Sequence, residues 1–270
     1  MDYKIGFVGA GKMVSAIVKS LLNSNSFSAH NISCCSANDG TSDALSKETG
    51  ISRFENFSTL ISEKPDILVL GCKPQQLAEL PDDISQKMNE VLILSIMAGI
   101  TLDRLKQKFP LARNIVRSMP NTPGLIGAGI TGFIFAKDAN LEDKEIIQKV
   151  LGSLGKLKLI HDEKYIDDIT AISGSGPAYL FEFTCAIENA ALEIGLEKKL
   201  AKDLAIQTIV GSAKLIEKSN LHPQELRDQV TSPNGTTQAA LESFSNDQLR
   251  NIIARAVKSA RDRSRELSNA

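Results

Sequence analysis

Between residues 4 and 160 the chain alternates short apolar runs with segments that are apolar at helical spacing, and this alternation restricts the fold more than any other feature. Lys4–Val8, Ile32–Cys35, Ile67–Gly71, Val91–Ser95, Asn114–Arg117, Ile130–Phe135 and Leu157–Ile160 read as strands; Met13–Leu22 and Leu141–Leu151 read as helices between them. Strands that alternate with helices build βαβ units and a mostly parallel, doubly wound sheet. The strand runs are continuously apolar, the pattern of a sheet covered on both faces. From about residue 163 the texture changes. Ala178–Ile194, Lys198–Glu217 and Asp247–Leu267 are long, rich in Ala, Leu, Ile, Glu and Lys, and apolar at helical spacing, with no strand-like run among them. The expected architecture is therefore α/β: a doubly wound sheet over residues 1–162, then an all-helical domain over residues 163–270. Small residues such as Ala186, Ala190, Ala191, Ala201 and Ala205 allow close helix packing. Such a domain often completes its core with a partner subunit, so at least a homodimer is expected.

Bulk properties remove several classes of partner. The net charge is −1 over 270 residues, which leaves no basic field for nucleic acid or an anionic membrane surface. No apolar run approaches the roughly 20 residues that span a bilayer. The N-terminus enters a strand pattern at once, without the regions of a secretory signal, so the expected location is cytoplasmic. Cys34, Cys35, Cys72 and Cys185 show no C-x-x-C spacing, so neither a metal site nor a disulfide framework is expected. Cys34, Cys35 and Cys72 lie in apolar runs and read as small core hydrophobes. His30, His161 and His222 match no catalytic motif; Pro223 after His222 marks a helix start.

Gly9-Ala10-Gly11 follows the first strand and opens the first helix, the context in which a glycine fingerprint signals dinucleotide binding. Gly9 permits the turn, Gly11 lets the backbone approach a pyrophosphate, and the helix N-terminus presents its amides. Val14 stands where the third glycine of the pattern normally allows close helix–strand packing, which implies a wider approach or a local adjustment. After the second strand come Ser36, Ala37, Asn38 and Asp39, with Ser36 and Asn38 where an NAD-selective acid is expected. That absence permits the 2′-phosphate of NADPH; no arginine in the turn pairs with it, and NADH stays an alternative. The loops Gly71-Cys72-Lys73-Pro74 and Ser95-Ile96-Met97-Ala98-Gly99 fall at strand C-termini, where ligands bind in open α/β sheets. Both are expected to serve the nicotinamide half.

Three further motifs carry a resemblance. Arg117-Ser118-Met119-Pro120-Asn121-Thr122-Pro123, Ser173-Gly174-Ser175-Gly176-Pro177-Ala178-Tyr179 and Val230-Thr231-Ser232-Pro233-Asn234-Gly235-Thr236-Thr237 resemble the signatures of pyrroline-5-carboxylate reductases. The resemblance covers nearly the whole chain. It implies a Rossmann-like N-terminal domain and a helical C-terminal dimerisation domain. It also implies dimers that can assemble further, commonly into decamers, and NAD(P)H-dependent reduction of 1-pyrroline-5-carboxylate to L-proline, the last step of proline biosynthesis. By the same resemblance, Val8, Gly9, Ala10, Gly11, Lys12, Met13, Ser36, Asn56, Lys73, Ser95, Ile96, Met97 and Ala98 bind the cofactor, with Gly71, Cys72 and Pro74 beside them in their loop. Ala98, Pro177, Val230, Gly235, Thr236 and Thr237 form the substrate site, with the Thr237 hydroxyl near the ring nitrogen. Asn234 departs from the family pattern, which often has a second glycine there; asparagine tolerates left-handed backbone better than most residues. Asn220 stands where some members carry an acid.

The motif residues also read physically. Ser173–Pro177 and Ser232–Thr237 are small-residue turns entering helices, with Pro177 suited to a first turn and a helix beginning near Thr236. Exposed amides there suit a small carboxylate. The plainer alternative is two capped helices with nothing bound, Thr237 serving only as a cap. A β-hydroxyacid dehydrogenase shares the two-domain plan, but would need a lysine soon after Pro177, and none occurs before Lys198. A non-catalytic dinucleotide-binding scaffold is the other competing reading.

Overall fold

The computed structural model describes residues 3–81 and 87–269. Eight strands form one sheet: β1 (Ile5–Val8), β2 (Ile32–Cys35), β3 (Ser52–Arg53), β4 (Ile67–Leu70), β5 (Leu92–Ser95), β6 (Asn114–Met119), β7 (Gly129–Phe135) and β8 (Gly155–Leu159). Their spatial order is β3-β2-β1-β4-β5-β6-β7-β8. The first six strands are parallel in the doubly wound 3-2-1-4-5-6 order, with the switch of direction between β1 and β4. β7 runs antiparallel to β6 and β8 parallel to β7, so the last two strands reverse the sheet.

Alternate side chains send the sheet's two faces into two cores. Ile5, Phe7, Ile67, Val69, Leu92 and Leu94 pack with Val14, Ile17 and Leu21 of α1 (Lys12–Asn23) and with Ile146, Ile147, Val150 and Leu151 of the later helix Leu141–Gly152. Leu68, Leu70 and Ile93 face the other way, toward Phe57, Leu60 and Ile61 and toward Leu102 and Leu105. Both faces are buried, which is why these strands lack a polar alternation. Full burial of each such side chain stabilises by about 1.5–3 kcal/mol.

Sequence periodicity did not mark three short helices: α2 (Thr41–Thr49), α3 (Phe57–Ser62) and α4 (Leu102–Lys108). They are held by local signals. Asn56 accepts the Thr59 N–H at 3.0 Å in a capping box, and Thr101 accepts the Arg104 N–H at 3.3 Å. α5 (Leu141–Gly152) is capped by Asn140, which accepts from Asp143 at 2.7 Å. α6 (Tyr165–Ile169) runs directly into a π-helical segment, Thr170–Gly174.

The chain packs as two compact units, residues 1–175 with 260–270, and residues 176–259. By contacts, residues 163–175 and 260–269 lie in the sheet unit. The second unit contains α7 (Gly176–Glu193), α8 (Lys198–Lys218), α9 (Pro223–Gln229), α10 (Thr236–Asn246) and the first half of α11 (Leu249–Asn269). α7 packs on α8, where Ala201 and Ala205 are fully buried. None of the residues of α7, α9 or α10 is buried. Phe181 is 64% exposed, and Leu180, Leu204, Ile216, Ile252 and Ile253 are also open. So many open large apolar side chains in one unit fit a surface that a partner covers.

Candidate active site

The register aligns the C-terminal ends of the central strands. Val8 lies beside Cys35 and Leu70, and Leu70 beside Ser95. The loops expected to hold the cofactor therefore leave one edge of the sheet side by side. Their first amides continue the ladder: Gly9 N–H donates to Cys35 O, Gly71 N–H to Val8 O and Ile96 N–H to Leu70 O, at 2.7, 2.8 and 3.0 Å. A hollow of about 420 Å³ opens there, lined by Val8, Gly9, Ser36, Asn56 and Cys72 among others. Five of the expected cofactor residues thus share one cavity.

The glycine turn shows which constraints come from the fold. Gly9 sits at φ +96°, and a Cβ on it would meet Gly71 O at 2.6 Å and Cys72 N at 2.7 Å. Only glycine fits. Gly11 differs: its φ is −68°, and a Cβ there would meet nothing within 4 Å among the described residues. The protein does not need a glycine at this helix start. The bare backbone leaves room for a ligand to approach it, the fit expected for a pyrophosphate. No side chain caps α1, so its first amides are open.

Val14 explains how the irregular fingerprint survives. Its Cγ2 packs against the bare Cα of Gly71 at the end of β4, where any Cβ would collide with it. The absent side chain has moved from the helix to the neighbouring strand end. The wider approach that Val14 implied is not needed.

Around Ser36 the hydroxyl donates to Asp39 Oδ1 at 3.1 Å and to Ser42 Oγ at 2.9 Å. Asp39 Oδ1 also accepts the Thr41 hydroxyl at 2.7 Å and the Thr41 N–H at 3.0 Å. The Thr41 hydroxyl, then its amide, hold the Asp39 carboxyl below the usual carboxylate range. Asp39 is thus tied to the start of α2. Asn56 uses its Oδ1 as the α3 cap, which accounts for that residue without a ligand. Lys73 is exposed, and its N–H donates to Gln76 Oε1 at 2.9 Å as a 3-10 turn begins at Pro74.

In the Ser95–Ala98 loop, Ser95 and Met97 are turned inward at 0% and 4% exposure, while Ala98 is exposed. Ser95 and Met97 can offer only backbone to a ligand. Burial pushes Cys34 and Cys72 to about 11 and Cys35 to about 12, so all three stay neutral thiols at physiological pH. Cys34 and Cys35 are buried in the core as read, whereas Cys72 is half-buried and lines the hollow, so the core reading does not hold for it. Cys72 Sγ lies 3.7 Å from Met97 Sδ.

The helical unit carries the other motifs. Ser173–Pro177 is not an open-amide turn as expected. Ser173 and Gly174 lie in the π-helical segment, Ser175 N–H donates to Thr170 O at 2.8 Å, and Gly176 begins α7. Pro177 does fall in the first turn of α7. The Ser232–Thr237 turn has open amides at Thr236 and Thr237, but not at Gly235, where one was expected, because the Gly235 N–H donates to Ser232 O at 3.0 Å. Gly235 is the N-cap of α10, and no side chain caps this helix. Asn234 adopts φ +58° and its N–H donates to Gln238 Oε1 at 2.8 Å, so asparagine fills the left-handed position expected of it. The Thr237 hydroxyl has no hydrogen-bond partner among the described residues and lies inside the first turn, so it is not the cap. Val230 is 64% exposed. His222 caps α9, its Nδ1 accepting the Gln224 N–H at 3.2 Å, in line with the helix start read from Pro223.

Among the described residues no helix is long and apolar enough to cross a membrane, and no group of three or more His, Cys, Asp or Glu is placed to hold a metal ion.

Comparison with known proteins adds the family. Residues 163–267 match the family model for pyrroline-5-carboxylate reductase dimerisation, and residues 4–99 match that for NADP oxidoreductase, coenzyme F420-dependent. Pyrroline-5-carboxylate reductase 2 of Bacillus subtilis is 33% identical over 264 residues, covering 98% of this chain and 95% of its own. The solved pyrroline-5-carboxylate reductase of Coxiella burnetii superposes with a TM-score of 0.90 at 30% identity, covering 99% of both chains. The Plasmodium falciparum pyrroline carboxylate reductase, solved with NADP bound, gives 0.86 at 30% identity over 98% of both. With the strand order, the glycine turn and the helical unit all in agreement, the chain belongs to the pyrroline-5-carboxylate reductase family.

Proposed function

We propose that this chain reduces 1-pyrroline-5-carboxylate to L-proline with NADPH, closing proline biosynthesis. The observation that carries the reading is Gly11: a helix start that the fold leaves free to hold any residue holds glycine, beneath loops aligned for a dinucleotide. When bound, the dihydronicotinamide supplies a hydride from its C4. Residues Val8–Met13 hold the pyrophosphate, and Ser36 and Asn56 line the adenosine side. Lys73 with its neighbours Gly71, Cys72 and Pro74, and the backbone of Ser95–Ala98, serve the nicotinamide side. With no acid at Ser36 and with Asp39 tied to Thr41, the 2′-phosphate of NADPH meets no free carboxylate at the end of β2; the relative with NADP bound supports the same choice.

The chemistry asks little of side chains. A cyclic imine is electrophilic once protonated, so the chain must orient it, bind its carboxylate and exclude water. The open amides of Thr236 and Thr237 at the start of α10 suit that carboxylate, with Gly235, whose own N–H donates to Ser232 O, making the turn beside them. The unengaged Thr237 hydroxyl is the group assigned to donate to the ring nitrogen, and Ala98, Pro177 and Val230 are assigned to the walls. α7 contains no lysine, which removes the base a β-hydroxyacid dehydrogenase would need. The bare apolar faces of α7, α8 and α11 support a homodimer, and dimers of this family's kind can stack further, to a decamer. Free cysteines fit a cytoplasmic enzyme.

The test is direct. Purified protein given NADPH and pyrroline-5-carboxylate should lose nicotinamide absorbance and yield L-proline, faster than with NADH. No oxidation at any protein concentration would leave the scaffold reading in its place.

A further inference from the structure

The Arg117–Pro123 stretch stands out in the sequence, yet the proposed reaction gives Arg117 nothing to do. Arg117 is 2% exposed, on β6 beside Ser95 of β5. Its Nη1 donates to Glu163 Oε1 at 2.6 Å; its Nη2 donates to the Ser268 hydroxyl at 3.4 Å and lies 3.8 Å from Asp167 Oδ1. Its Nε has no partner among the described residues. A buried cation with an unmet donor weakens a fold, so stability alone does not account for Arg117.

The partners of Arg117 lead to one loop. Glu163 Oε1 also accepts the N–H of Leu102, the first residue of α4, at 2.7 Å. Asp167 Oδ1 accepts the hydroxyls of Ser264 and Ser268, at 2.7 and 3.2 Å, and so holds the last turns of α11. Those turns place Leu267 against Gly99, where an added Cβ would lie 3.2 Å from Leu267 Cβ and 3.3 Å from Leu267 O. On the other side, the Ser118 hydroxyl donates to Ser95 O at 2.8 Å. The segment 96–101 is therefore fixed at its start by Ser118, at its end by Glu163 and at its middle by Leu267. Only Ala98 of Met97–Gly99 reaches the surface.

We infer that Arg117 is a positioning residue for hydride transfer. Through Glu163, Asp167 and residues 264–268 of α11, it sets the Ile96–Gly99 loop on which the nicotinamide rests. The inference builds on the reductase reading of that loop. It makes residues 264–268 of α11 a working part of the cofactor site. Orientation is the whole contribution, because hydride transfer falls steeply as the donor drifts from its acceptor.

Two variants test it. Ser264→Ala/Ser268→Ala removes both hydroxyls from Asp167 and keeps every charge; Arg117→Lys keeps the charge and loses the planar fork. Hydrogen–deuterium exchange needs no substrate: in both variants the 96–102 amides should exchange about tenfold faster, with β1 unchanged. Wild-type exchange rates in that segment would overturn the inference. With substrate, kcat should fall about tenfold and the primary isotope effect from 4-deuterated NADPH should rise, while the KM for NADPH stays within about twofold. A loss of activity that only tracks loss of folded protein, with exchange faster across the whole sheet, would also overturn it. An inactive wild-type chain would refute the reductase reading instead, and exchange would still decide whether Arg117 holds the loop.

Discussion

Two glycines of one turn do different work, and a substitution separates them. Gly9 is required by the fold, since its left-handed backbone and the nearby Gly71 carbonyl exclude a side chain. A Cβ at Gly11 would meet nothing within 4 Å among the described residues, so Gly11→Val should leave the melting temperature within a few degrees and weaken NADPH about 100-fold or more by blocking the pyrophosphate. Fluorescence titration of NADPH and a thermal melt read the two effects apart; unchanged affinity would contradict the phosphate assignment. Thr237 sits at the opposite pole. Its hydroxyl supports no local structure, so Thr237→Ala should lower kcat about 10- to 100-fold with little change in stability or NADPH affinity. A parallel loss of cofactor affinity would contradict its placement at the substrate. The buried thiols give a third check. Burial raises the Cys34 and Cys35 thiols far above pH 8 and shields them, so at pH 8 an alkylating reagent should leave both unmodified in the native protein, while half-buried Cys72 at the hollow should react slowly.

At the scale of elements, what the sequence made legible is what repeats. Seven strands were marked by runs such as Ile67–Leu70, in which every side chain is buried, and long helices by their periodicity over many turns. The two-residue strand β3, with both residues exposed, carries no apolar signal. Helices of six to nine residues offer too few turns for a period to emerge, and the caps that Asn56 and Thr101 supply to two of them show only in the structure. Strand direction was less accessible. Ile130–Phe135 reads as apolar in either orientation, so the reversal at β7 is invisible until its pairing with β6 is seen. At the site, the glycine turn and the Ser232–Thr237 turn were readable because glycine and asparagine mark special backbone. The compensation of Val14 by Gly71 was not, since it joins residues 57 positions apart through the packing of α1 on β4. The Ser173–Pro177 misreading has a similar cause: small residues that suit an open turn also suit a π-helical segment.

For the whole molecule, the open faces of the helical unit make association part of stability. Leu180, Phe181, Ile252 and Ile253 are each about half exposed or more in the single chain. Covering several such side chains at about 1.5–3 kcal/mol each would offset the entropy of association. Phe181→Asp should therefore give monomer or aggregate by light scattering, with a lower melting temperature, where the wild type gives a dimer or larger assembly. A wild-type monomer at micromolar concentration would contradict this. The central claim is a hydride passed to a cyclic imine, and isotope transfer reads it most directly. NADPH carrying deuterium on the transferred face of C4, incubated with the protein and pyrroline-5-carboxylate, should yield L-proline with deuterium at C5. Product without the label at C5, or no proline at all, would contradict the account.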